Sequence, residues 1–215
     1  QDWLTLPIEN EGQKQASWRT DPSKAGMGGS IGDIGSHAFN LADFITGEIL
    51  TELCADISSF VEGRKNDDNA HVLLRYENGV KGMLWSSQVA PGNENALKIR
   101  IYGDKGGLEW EQENPNYLRV DIFGEAKKII RRAGNETISV AGRVTRIPPG
   151  HPEGYLEGFA NIYADFAKQI IAHKNNQKID QELLLVPSIK DGLKGVKFIS
   201  SVVESGLNGS KWLKF

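Results

Sequence analysis

An α+β fold is expected: one large, mainly antiparallel, open-faced twisted sheet with helices packed on one face. Three observations predict it. Hydrophobic alternation with a period of two fills the middle of the chain, and helical spacing flanks it on both sides. Turn residues separate the strand candidates at short intervals, as antiparallel neighbours require.

The elements follow in order. Residues 1–32 are rich in Gly, Ser, Pro and charge, with little periodicity, and 1–30 read as an extended leading segment of a single 1–215 domain. A first helix is predicted from about Gly32 to Thr46, with Ile34, Ala38, Leu41 and Ile45 as its apolar stripe. Ser30 and Asp33 resemble a capping box, and Gly47 stops the helix. From Ile49 the period becomes two: Val72, Leu74 and Tyr76 alternate with His71, Leu73 and Arg75, and Asn78-Gly79 is a hairpin turn into Val80–Val89. Leu97, Ile99 and Ile101 mark the next strand, which turns at 104–107 into Leu108–Glu111. Weaker strands are expected at Tyr117–Phe123, Lys127–Arg131 and Glu136–Val140. A second helix opens at Pro152 with Tyr155, Phe159, Ile162, Tyr163, Phe166 and Ile170 on one face. A third starts at Ser188 with Ile189, Leu193, Val196, Ser200 and Val203, before a short strand Trp212–Phe215.

Composition excludes several classes. A chain of 215 residues, 39% hydrophobic and 25% charged, can bury a real core. The net charge of −3 offers no basic surplus for nucleic acid. Lys127-Lys128 and Arg131-Arg132 read as solvated strand edges. The single cysteine, Cys54, permits neither an internal disulfide nor a Cys-based zinc site. Beside Leu53 it reads as a buried packing thiol, which suits a reducing, cytoplasmic setting. No run is long enough to span a bilayer, and no basic-then-apolar leader opens the chain.

The sharpest chemical feature is the run from Gly28 to His37, GGSIGDIGSH. A glycine-rich loop opens a helix, and Asp33 and His37 stand four apart, on one helix face. Asn40 and Phe44 share that face, opposite the stripe headed by Ile34. A histidine beside a carboxylate can serve as a general base. Spacing alone leaves a second reading open, in which Asp33 caps the helix and His37 is an ordinary surface histidine. Two ligands are too few for zinc, so no metal is expected. The glycines form no dinucleotide fingerprint, because no strand precedes them and no βαβ unit follows. His151, in a Pro-Pro-Gly-His-Pro loop ahead of a helix, is a second candidate ligand contact. Trp18-Arg19 is an aromatic–cation pair that either touches a ligand or pins the segment. His71 and His173 carry no assigned role.

Residues 28–47, GGSIGDIGSHAFNLADFITG, resemble the signature of the glucose–fructose oxidoreductase, inositol dehydrogenase and MocA (Gfo/Idh/MocA) family. Trp18–Pro22, His151–Tyr155 with Phe159-Ala160-Asn161, Pro187–Gly195 and Ser205–Phe215 add to the likeness, which spans nearly the whole chain. The resemblance implies the C-terminal domain of a two-domain dehydrogenase that transfers hydride between NAD or NADP and a CH–OH group of a sugar, sugar derivative or cyclitol. It implies His37 as the base for the substrate hydroxyl, with Asp33 orienting His37 or binding a neighbouring hydroxyl. Arg19, Asn40 and His151 would supply further substrate contacts, and Trp18 a contact on the cofactor side. It also implies a homodimer or homotetramer built on the open sheet face. The family's lysine and nucleotide fingerprint have no match here, so the isolated chain is expected to be inactive. Two rival readings stand beside this one: a non-enzymatic sugar-binding or assembly module, and a metal-assisted isomerase or hydrolase using Asp33 and His37.

Overall fold

The computed structural model describes every residue except Glu136 and Ile138. The chain divides into two compact units, Gln1–Ala96 with Lys190–Phe215, and Leu97–Ile189. Both are α+β, and every strand ladder among the described residues is antiparallel. The strands pair as two separate four-stranded sheets.

The first unit opens with two short helices, α1 (Lys14–Arg19) and α2 (Pro22–Ala25), where the sequence suggested only extended chain. Side-chain caps make them: Gln13 accepts from the Ala16 N–H, and Asp21 from the Ser23 N–H. So short a helix carries no periodicity, hence the miss. The leading segment is anchored by Arg64, whose guanidinium is 1% exposed. It donates to Glu9 at 3.0 Å, to the carbonyl of Leu4 at 2.8 Å and to Asp68 at 3.3 Å. Burial works to raise the Glu9 carboxyl, but its hydrogen bonds, with Arg64 foremost, outweigh it and leave Glu9 below its ordinary range.

Next comes a π-helical turn, Ile31–Gly35, continuous with α3 (Ser36–Thr46). Its wide bond runs from the Ser36 N–H to the Ile31 carbonyl. Gly47, at φ +64, stops α3 as expected. The π turn throws the helix faces out of phase with a simple 3.6-residue count. The buried seam is Ile31, Gly35 and Phe39, while Ile45 of the expected stripe is 44% exposed. The capping box does not form either, because the Ser30 hydroxyl turns to Asp67.

Strands β1 (Leu50–Ser58), β2 (Asn69–Tyr76) and β3 (Lys81–Ser87) follow. The β2–β3 hairpin turns through Asn78 at φ 62 and Gly79 at φ 81, the paired positive angles that Asn-Gly is suited to. Across the second unit the chain then returns with the helix Ile189–Leu207 and the short strand Leu213–Lys214, giving the order β3-β2-β1 and then this last strand. Inward residues of the sheet, among them Leu53, Val72 and Leu84, meet Phe39, Phe198 and Val202 from the helices. The rings of Phe39 and Phe198 stack at 4.0 Å. Burying each such side chain contributes about 1.5–3 kcal/mol. Only the C-terminal half of the last helix reaches this core, so Ile189, Leu193 and Val196 of its expected face stay exposed. Cys54 is half-buried and donates its thiol to the Ser210 carbonyl at 3.0 Å.

The second unit holds β4 (Lys98–Tyr102), β5 (Gly106–Glu111), β6 (Tyr117–Ile122) and β7 (Lys128–Arg131), in that spatial order. Lys128 marks the exposed edge strand as expected. Arg132 does not: its guanidinium turns inward to Glu153 at 2.7 Å and to the Ile147 and His151 carbonyls. Two residues of the expected strand Glu136–Val140 lie outside the described residues, and Ser139–Arg143 form helix α4. Helix α5 (Tyr155–Lys174) begins at Tyr155 rather than Pro152, because Glu157 reaches back to the Gly154 N–H at 2.9 Å. The preceding Glu153 is engaged by the Arg146 N–H and Arg132 instead. The apolar side chains of α5 are largely exposed, Tyr163 at 73% and Phe166 at 54%. By chain order the helix Ile189–Leu207, which belongs to the first unit from Lys190 on, is α6, and the strand Leu213–Lys214 is β8.

Candidate functional site

The glycine-rich loop is shaped by a buried acid that sequence reasoning passed over. Asp67 is 6% exposed and accepts from the Gly29 N–H at 2.6 Å, the Ile31 N–H at 2.9 Å and the Ser30 hydroxyl at 2.7 Å. The Ser30 N–H in turn donates to the Asp67 carbonyl at 2.8 Å. A Cβ on Gly29 would lie 2.0 Å from that carbonyl oxygen, so only glycine lets the loop come this close. Burial lifts the Asp67 carboxyl above its ordinary range, against the pull of these hydrogen bonds.

With the loop so fixed, the π turn presents Asp33. Its two carboxylate oxygens are held from two sides: Arg19 Nε donates to Oδ1 at 3.0 Å, and Gln88 Nε2 donates to Oδ2 at 2.7 Å. Neither oxygen accepts from a helix N–H, so Asp33 is not a cap. Nor is His37 among its hydrogen-bond partners, so the direct Asp33–His37 couple that the spacing suggested is not made. Arg19 is itself held by the Gln15 side chain at 2.5 Å and lies 4.2 Å from the Trp18 ring centroid and 5.8 Å from that of Trp3. Trp18 donates its indole N–H to Gln15 at 3.3 Å.

His37 is the second residue of α3 and is exposed, as are Asn40 and Phe44 farther along the same helix. The structure thus gathers Trp18, Arg19, Asp33 and Gln88 into one bonded cluster and sets His37 and Asn40 on the open side of the helix that continues from it. Gln88 was missed because a polar residue just after a strand carries no pattern of its own.

His151 belongs to the second unit. It is exposed, on a loop bent at Gly150 (φ +87) and fixed by Arg132, which donates to the His151 carbonyl at 2.8 Å. This loop borders an open cavity of about 570 Å³ whose walls include Tyr117, Arg131 and Tyr155.

Among the described residues, no three His, Cys, Asp or Glu side chains cluster as metal ligands would. No helix among the described residues is long and apolar enough to cross a membrane. The described residues offer no cradle for a dinucleotide's phosphates either: the ladders are all antiparallel, and the glycine loop spends its N–H groups on Asp67 rather than on a phosphate.

Residues 4–109 match the GFO/IDH/MocA C-terminal domain. The chain is 36% identical over 214 residues to an uncharacterized oxidoreductase, YfiI, of Bacillus subtilis (strain 168), covering 96% of this chain and 54% of that protein. It spans about half the length of the curated relatives it matches. An oxidoreductase from Sinorhizobium meliloti is 52% identical, with a TM-score of 0.82 over 86% of this chain and 52% of that one. An inositol dehydrogenase homolog from Azotobacter vinelandii, complexed with NAD+, is 34% identical and superposes with a TM-score of 0.92, covering 100% of this chain and 55% of that one. An inositol dehydrogenase homolog from Azotobacter vinelandii complexed with NADH and myo-inositol gives 31% identity and a TM-score of 0.88, with 100% of this chain and 54% of that one covered.

Proposed function

The chain belongs to the Gfo/Idh/MocA family, and from that premise we propose that it is the substrate-holding part of a dehydrogenase that oxidises a CH–OH group of a sugar, sugar derivative or cyclitol with NAD or NADP. One observation carries the reading. An exposed imidazole, His37, follows a carboxylate, Asp33, that faces two donors and no acceptor. The Azotobacter vinelandii homolog that holds NADH and myo-inositol supports the substrate class.

In this reading the nicotinamide, when bound, supplies hydride acceptance, and its dinucleotide is held outside the residues described here. His37 takes the proton of the reacting hydroxyl. Asp33 accepts a neighbouring hydroxyl through the lone pairs that Arg19 and Gln88 leave free. Arg19 and Asn40 offer further polar contacts, as does His151 on its own unit, and Trp18 stands on the cofactor side. The full-length protein, given NAD+ or NADP+ and a panel of cyclitols and pyranoses, is expected to reduce the nicotinamide with at least one of them. A full-length protein that binds a polyol and reduces neither cofactor would establish the non-enzymatic binding module instead.

Two further outcomes are expected. This chain alone should not retain NADH in titration calorimetry, since its described residues offer no phosphate cradle. A dissociation constant of roughly a micromolar or tighter would contradict that. Assembly should use the open face of the first sheet, where Leu73, Met83 and Trp85 stand 52%, 78% and 56% exposed in register across β2 and β3. Met83→Lys would bury an unpaired charge in that contact and should weaken self-association at least about tenfold in sedimentation. An unchanged association constant would place the contact elsewhere.

A further inference from the structure

We propose that Gln88 is a positioning residue for Asp33, and through it for the substrate hydroxyl; the proposal rests on the dehydrogenase reading above. Gln88 stands immediately after β3 and is 2% exposed. Both its backbone groups are committed: its N–H donates to the Asp68 carbonyl at 2.9 Å, and its carbonyl accepts from the Leu4 N–H at 3.1 Å. The side chain therefore starts from a fixed point in the core, and its amide reaches Asp33 Oδ2 at 2.7 Å.

The other holder of Asp33 is of a different kind. Arg19 ends a six-residue helix, and its side chain is 25% exposed. Its guanidinium is held in turn by Gln15 and Trp18, exposed residues of the same short helix, so its hold on Asp33 is tied to the surface rather than to the core. The buried amide fixes direction without adding a charge. A group that must accept one hydroxyl of a polyol in a set direction needs such a support, because small misplacements of a reacting geometry are costly. Arg19 then stabilises the carboxylate, and Gln88 aims it.

The test is a double-mutant cycle in the full-length enzyme, with the parent, Gln88→Met, Asp33→Ala and the double variant. Methionine keeps the length of glutamine and removes the donor. Gln88→Met should lower kcat/KM for the polyol by roughly 10- to 100-fold, mainly through KM, with KM for NAD+ within about twofold of the parent. In the Asp33→Ala background the same change should cost no more than about twofold. Equal losses in the two backgrounds, or a parallel rise in KM for NAD+, would overturn the proposal in favour of a general structural role. Thermal midpoints of the same four proteins decide the contact independently of turnover. A drop on Gln88→Met that at least halves without Asp33 upholds it, and equal drops overturn it. A parent that oxidises no polyol refutes the dehydrogenase reading while leaving the melting comparison to judge Gln88.

Discussion

On the proposed dehydrogenase reading, His37→Ala should lower turnover of the full-length protein by roughly 10²–10⁴-fold, the range for losing a positioned proton acceptor. The imidazole is exposed and its ring takes no part in the core, so the variant should fold and melt like the parent. Affinity for the nicotinamide cofactor should stay within about twofold, because the proposed role of the residue is on the hydroxyl and the described residues form no dinucleotide cradle. The measurements are steady-state kinetics across pH and cofactor titration. Turnover within about threefold of the parent would remove His37 from the chemistry and take the mechanism with it.

Asp67→Ala should destabilise the chain by about 3 kcal/mol or more. It deprives the Gly29 N–H, the Ile31 N–H and the Ser30 hydroxyl of their acceptor at a buried site, and each orphaned donor costs about 1–3 kcal/mol. Chemical denaturation checks the size of the loss. The acid also has a pH signature. Its folded value is raised above the ordinary 3.8, with burial the largest cause. A raised acid favours the folded state fully below its unfolded value and loses that contribution as pH climbs through the folded one. Relative to Asp67→Asn, the parent should therefore lose stability as pH rises from about 4 through the elevated folded value. A parent that instead gained stability over that window would mean that the hydrogen bonds outweigh burial.

Much of this architecture can be read from residue order, and the exceptions are instructive. The alternation of Val72 and Leu74 with His71 and Leu73 marked β2, and Asn78-Gly79 marked its hairpin, because both depend on neighbours in sequence. The run through Asp33 and His37 marked the start of a helix for the same reason. Its faces came out shifted because a single wide turn, the Ser36 N–H reaching Ile31, adds a residue that no 3.6-residue count includes. The grip of Gln88 on Asp33 and of Asp67 on the glycine loop joins residues more than thirty positions apart. Nothing in the local pattern at either end announces a partner so remote. The division at Ala96–Leu97 was hidden too, since strand follows strand there with no change of composition.

The interrupted course of the first unit bears on how the protein is made. Its core needs Phe39 from the early chain and Phe198, Val202 and Val203 from the last helix. On a ribosome 1–96 emerges with a lipophilic sheet face that Ile31 and Phe39 cover only in part, while the whole of 97–189 is still to be translated. That later stretch is continuous and can condense as soon as it clears the exit tunnel. The first unit thus closes only after 97–189 and the last helix have been made, and the nascent 1–96 stretch is what a holdase chaperone would have to shelter.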